Sequence, residues 1–117
     1  MIGGVTRDEY IAAASALIHE GERLARQPSL VALRTWIAGS DEFLRAAWGS
    51  MDRYHLSWLM VGRPADAVRR RAMTPTEEAD YVREVAAGKT AALRMSLKAV
   101  EQDGMPFLGE TSSPRQP

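Results

Sequence analysis

The sequence predicts an all-α fold: a compact bundle of five or six helices with a long C-terminal helix and a disordered tail. Three observations carry that expectation. Apolar residues recur every three or four positions along most of the chain, the period of a helix that buries one face. Helix start and stop residues punctuate those stripes at regular intervals. Strand signals are nearly absent, since no alternating run of Val, Ile, Thr and aromatics lies between turn dipeptides. At 117 residues the chain reads as one domain over 1–104, large enough to bury a core without metals or disulfides. Residues 105–117 contain Pro106, Gly109, Pro114 and Pro117 and read as a flexible tail.

The first helix is expected to begin at Thr6, with Glu9 three residues on as its capping-box partner. Tyr10, Ala14, Leu17, Gly21 and Leu24, widened by Ile11, Ile18 and Ala25, form its apolar stripe, and Pro28 closes it. Ser29 caps a second, short helix from Leu30 to Ile37. Gly39-Ser40 reads as an interruption, and Ser40-Asp41-Glu42 as the acidic first turn of a third helix through Trp48. After Gly49-Ser50 another helix is expected from Met51 to Val61, ending at Gly62-Arg63-Pro64, and a short one from Ala65 to Ala72. Thr74-Pro75-Thr76-Glu77 then opens the longest helix, with an N-cap, a proline at the first helical position and a capping-box glutamate. Gly104 supplies its left-handed stop.

That final helix carries two neighbouring stripes. One is Tyr81, Val85, Gly88, Ala92, Met95 and Ala99; the other includes Val82, Ala86, Leu93 and Val100. Together they make a face wide enough for two contacts, with Gly88, Ala91 and Ala92 small enough for close helix approach. The first helix packing here within one monomer competes with a homodimer seam or a partner groove.

Composition excludes several functions. Fifteen basic and fifteen acidic residues give zero formal charge, which argues against a nucleic-acid coat or a polybasic membrane binder. No apolar run approaches the roughly 20 residues of a spanning helix. Met1 to Val5 lacks the basic and apolar regions of a signal peptide. The absence of cysteine removes disulfides and thiolate chemistry and makes a cytoplasmic location the default. Thirteen of the fifteen basic residues are arginine, as a GC-rich coding sequence would produce.

The candidate chemical motifs are sparse. Gly88-Lys89-Thr90 looks like the end of a phosphate-binding loop, but Arg83 stands where the earlier glycine belongs and the residues lie within a helix. His19 with Glu22, and Asp52 with His55, each place an imidazole and a carboxylate three residues apart on one helix face. Two such helices could offer four ligands to a divalent metal. The bundle-type dinuclear motif nevertheless runs Glu-x-x-His, the reverse of the first pair, so the expectation is no metal and no cofactor. Arg69-Arg70-Arg71 could contact phosphate or nucleic acid, with Arg63 and Arg83 nearby. Such a run more often offsets the partial negative charge at a helix C-terminus, and Asp66 can pair with Arg69 or Arg70. A DNA-reading helix-turn-helix over Asp41 to Val61 is disfavoured by Arg45 and His55 at positions that call for alanine and an aliphatic residue.

Trp36, Phe43, Trp48, Tyr54 and Trp58 crowd into one short segment. Aromatics there fill a core between short helices or anchor an interface. The run Leu17-Ile18-His19-Glu20-Gly21-Glu22-Arg23-Leu24, followed by Trp36, Phe43-Leu44, Trp48-Gly49, Ser50, Tyr54, Trp58-Leu59 and a long closing helix, resembles small all-helical accessory modules of bacterial defence and regulatory proteins. The resemblance spans most of residues 10–101 and departs at the basic linker before the last helix. It implies binding or assembly rather than catalysis, and brings no catalytic residues with it. The functional expectation is therefore a non-catalytic protein–protein interaction or assembly module, as a homodimer or with a protein partner. Its contact residues are expected among Trp48, Tyr54, Trp58, Tyr81, Val85, Gly88, Ala92 and Met95.

Overall fold

A computed structural model describes residues 5–50, 52–61, 74–107 and 110. Among them the fold is all-helical, with four helices: α1 (Arg7–Arg26), α2 (Leu30–Trp48), α3 (Arg53–Met60) and α4 (Pro75–Glu101). The start signals act as their chemistry dictates. Thr6 and Thr74 each accept a hydrogen bond from the backbone N–H of the glutamate three residues on, and the carboxylates of Glu9 and Glu77 accept one from the backbone N–H of the cap residue. Ser29 caps α2 through the amide of Ala32. Gly104 takes a positive φ of 65° just beyond α4, a conformation that costs glycine little.

One expected break is absent. Gly39-Ser40 lies inside α2, so the two short helices foreseen over 30–37 and 41–48 are one helix. The reason is tertiary. Leu33, Trp36, Ser40, Leu44 and Ala47 are all buried, at spacings of three, four, four and three, and that continuous stripe outweighs the roughly 1 kcal/mol a mid-helix glycine costs. Gly39 itself is exposed, and a Cβ built on it meets nothing within 4 Å. Gly39→Ala is therefore expected to stabilise the chain by about 0.5–1 kcal/mol, read as a higher urea midpoint at unchanged slope. The short helix foreseen over Ala65 to Ala72, with Arg63, Asp66 and Arg69-Arg70-Arg71, lies outside the described residues.

The most extensive helix pairing is α1 on α4, with α2 and α3 packed beside them. On α1 the buried residues are Tyr10, Ala14, Ile18, Gly21 and Leu24; on α4 they include Val82, Val85, Ala86, Ala92, Leu93, Ala99 and Val100. A close approach falls at Gly21 of α1. A Cβ there would overlap Thr90 Oγ1 and lie 2.8 Å from Trp36 Cζ2. Trp36 locks the same spot by donating its indole N–H to the Leu17 carbonyl at 2.9 Å.

The packed domain also continues past Gly104. Phe107 is buried, Met105 packs against the core, and Glu110 pairs with Arg7. Residues 105–107 and 110 therefore belong to the bundle rather than to a loose tail. Their packing was hidden because Met105, Phe107 and Leu108 are a short apolar group among Gly104, Pro106 and Gly109, with no periodicity to announce it.

Candidate functional site

The residues expected to form a contact surface divide into two groups. Trp48, Trp58, Val85 and Ala92 are buried in the core of the single chain. Tyr54, Tyr81 and Gly88 are half-buried, and Met95 is exposed.

Five aromatic rings gather where the first turn of α1 meets the end of α2 and the start of α3. Tyr10 lies between Phe43 and Phe107, with centroid distances of 4.9 and 4.7 Å, and meets Trp48 edge-on at 6.1 Å. Trp48 in turn packs on Tyr54 at 4.5 Å. A polar chain runs through this cluster. The Trp48 indole donates to Tyr10 Oη at 2.9 Å, Tyr10 donates to Ser96 Oγ at 2.8 Å, and Ser96 donates to the Leu93 carbonyl at 2.9 Å. Each buried polar group is thereby satisfied, which is what permits a tyrosine and a serine to sit in a core.

Burial pushes the Tyr10 phenol above its ordinary value, against the opposing pull of the hydrogen bonds with Ser96 and Trp48. The unfolded chain thus ionises first, at about pH 10. The stability tied to the neutral phenol is fully present below that pH and is lost as pH rises through the higher folded value. Urea midpoints are expected to fall above about pH 10, and to fall less steeply in Tyr10→Phe. An identical alkaline slope in both proteins would contradict this assignment.

The imidazole–carboxylate pairs do not come together. His19 is exposed on α1, with Nδ1 3.6 Å from Glu22 Oε1, and Glu22 is also bound by Arg94 of α4. His55 is buried on α3 and donates from Nε2 to Asp41 Oδ1 at 2.6 Å, while Arg45 Nε reaches the other Asp41 oxygen at 3.2 Å. Asp52 does not pair with His55. It caps α3, accepting from the Tyr54 amide at 3.4 Å. Among the described residues no group of three or more His, Asp or Glu side chains is placed to hold a metal ion. Asp41, read from sequence as part of a helix start, is instead the mid-helix tie between α2 and α3.

Lys89, the residue inside the apparent phosphate-loop ending, is buried. Its ammonium donates to the Trp58 carbonyl at 2.7 Å and stands 4.1 Å from the centroid of the Trp58 ring. A cation at the carbonyl end of a helix offsets the partial negative charge there, and the aromatic face adds cation–π attraction. The group fastens α3 to α4. A lysine on the apolar face of an amphipathic helix is the sequence signal that points to it.

On the surface, the large apolar side chains that remain exposed among the described residues are Val31, Leu56, Met60, Val61 and Met95. Three of the five, Leu56, Met60 and Val61, lie on α3 and its C-cap. Leu56 and Met60 lie one turn apart and share a helix face. Among the described residues no helix is long and apolar enough to cross a membrane. Comparison with known protein families, with curated proteins and with solved structures finds no match to this chain.

Proposed function

We propose that this chain is a non-catalytic helical module that acts by protein–protein contact, as an accessory or assembly subunit, and that it pairs with a second copy of itself through the exposed edge of α3. The observation that carries the reading is the concentration of Leu56, Met60 and Val61 on that edge, where apolar surface outside the core gains free energy only when covered. The charge balance supports self-association, because fifteen acidic and fifteen basic residues leave no net repulsion between copies. A two-fold pairing would place the same patch of each copy against its counterpart. The buried titratable groups fit the same reading: Tyr10, His55 and Lys89 each tie one helix to another.

The test is the mass in solution. Light scattering over a concentration series is expected to give a dimer for the wild-type chain and a monomer for Leu56→Glu/Met60→Glu, with equal helicity by circular dichroism. A wild-type monomer at every concentration would reject the α3 edge as a self-contact.

A further inference from the structure

We propose that the aromatic recess between α1, α2 and α3, with Arg7 at its rim, is a peptide-recognition site that the chain's own C-terminal segment fills in cis, and that accepts from a partner protein a peptide turn bearing an aromatic side chain followed three residues later by a carboxylate. The site lies at the N-terminal end of α3, whereas the self-contact edge runs from the middle of α3 to its C-cap, and the two are tested separately.

Residues 105–107 and 110 are non-helical, and two side chains anchor them. Phe107 is buried against Tyr10 and Trp48, at centroid distances of 4.7 and 5.7 Å. Glu110 receives two hydrogen bonds from Arg7, from Nε at 3.1 Å and from Nη2 at 2.9 Å. The third arm of that guanidinium donates to the Val100 carbonyl at 3.1 Å, which fixes the fork toward the segment. The Glu110 amide donates to the Phe107 carbonyl at 3.0 Å, setting the spacing of the two anchors. Val5 and Glu110 form a parallel bridge, the one strand-type pairing among the described residues. An aromatic anchor in a slot, a bidentate arginine on a carboxylate and a backbone bridge beside them are together means by which proteins recognise peptides.

The recess does not depend on its occupant. Tyr10, Trp48 and Ser96 satisfy one another and the Leu93 carbonyl, and Phe107 contributes apolar contact without a share in that chain. Withdrawal of the segment leaves these hydrogen bonds intact, so the slot is preorganised for a competitor. A cavity of about 470 Å³ lined by Trp48, Asp52, Arg53, Met105, Pro106 and Phe107 opens beside the segment. An incoming chain can enter there before the resident one leaves.

The experiment uses the full chain. Phe107→Gly/Glu110→Gln weakens both anchors, and a fluorescent peptide with the sequence of residues 104–111 is titrated against it by anisotropy, with circular dichroism to verify the fold. Saturable binding is expected, at least about tenfold weaker to the wild-type chain, whose own segment competes. Peptides with alanine for the aromatic residue or glutamine for the acidic one are each expected to lose about tenfold or more. Should the double variant fail to fold, Glu110→Gln alone is titrated, and binding between the two limits is expected. No binding to a folded opened chain, or equal binding to opened and wild-type chains, overturns the proposal.

Discussion

Trp58→Ala is expected to destabilise the bundle by about 3–5 kcal/mol, the largest effect of any single truncation. Trp58 is 1% exposed, stacks with His55 at a centroid distance of 6.3 Å and carries the Lys89 ammonium on its face. It belongs to α3, which has eight residues. A helix that short has no stability of its own in water, so its order comes from being nailed to α2 and α4. Loss of the indole removes the nail and leaves the lysine without its aromatic seat. Against a total stability of about 5–15 kcal/mol, the variant should unfold at far lower urea. Amides of α3 should also lose most of their hydrogen-exchange protection while α1 and α4 keep theirs. Trp58→Phe is the informative control. The indole N–H has no hydrogen-bond partner among the described residues, so the cost should fall to that of lost area and a weaker cation–π contact.

The second large effect is at Gly21. Gly21→Ala introduces one methyl group where Thr90 Oγ1 and Trp36 Cζ2 already stand. Both neighbours are buried, and the tryptophan is held by its bond to the Leu17 carbonyl, so neither can swing into solvent. Overpacking of this kind costs about 1–3 kcal/mol, occasionally more, and the value here should lie at the upper end. The expected readout is a drop in Tm on the order of 10 °C. A double-mutant cycle localises the strain. Thr90→Ala removes a hydroxyl without a hydrogen-bond partner among the described residues and should recover part of the loss, leaving the share due to Trp36. Strict additivity of the two substitutions would mean that α1 and α4 do not touch at this point.

What could be read from sequence follows the range of the forces involved. Thr6 with Glu9, Ser29, and Thr74 with Pro75 and Glu77 were legible because a cap bonds to amides two or three residues away. Gly49 was legible as a break because it ends α2 with φ 96°. Gly39 was not, since its neighbours Trp36, Ser40 and Leu44 bury one unbroken stripe against other helices, a fact that local propensity does not contain. The same holds for Ser96 and Lys89 on the buried face of α4: one is satisfied by Tyr10 and the other by Trp58, both far away in sequence. The aromatic segment was visible as a cluster, but its split between core and surface depends on which rings α1 and Phe107 cover. The basic run at Arg69-Arg70-Arg71 lies outside the described residues and enters none of these arguments.

The proposed self-contact through the apolar edge of α3 is read from the mass of the protein in solution across a concentration series. A chain of 12.9 kDa should scatter as a dimer, and as a monomer once Leu56 and Met60 are replaced by glutamate. A wild-type chain that remains a monomer throughout, or a dimer that survives both substitutions, would contradict it.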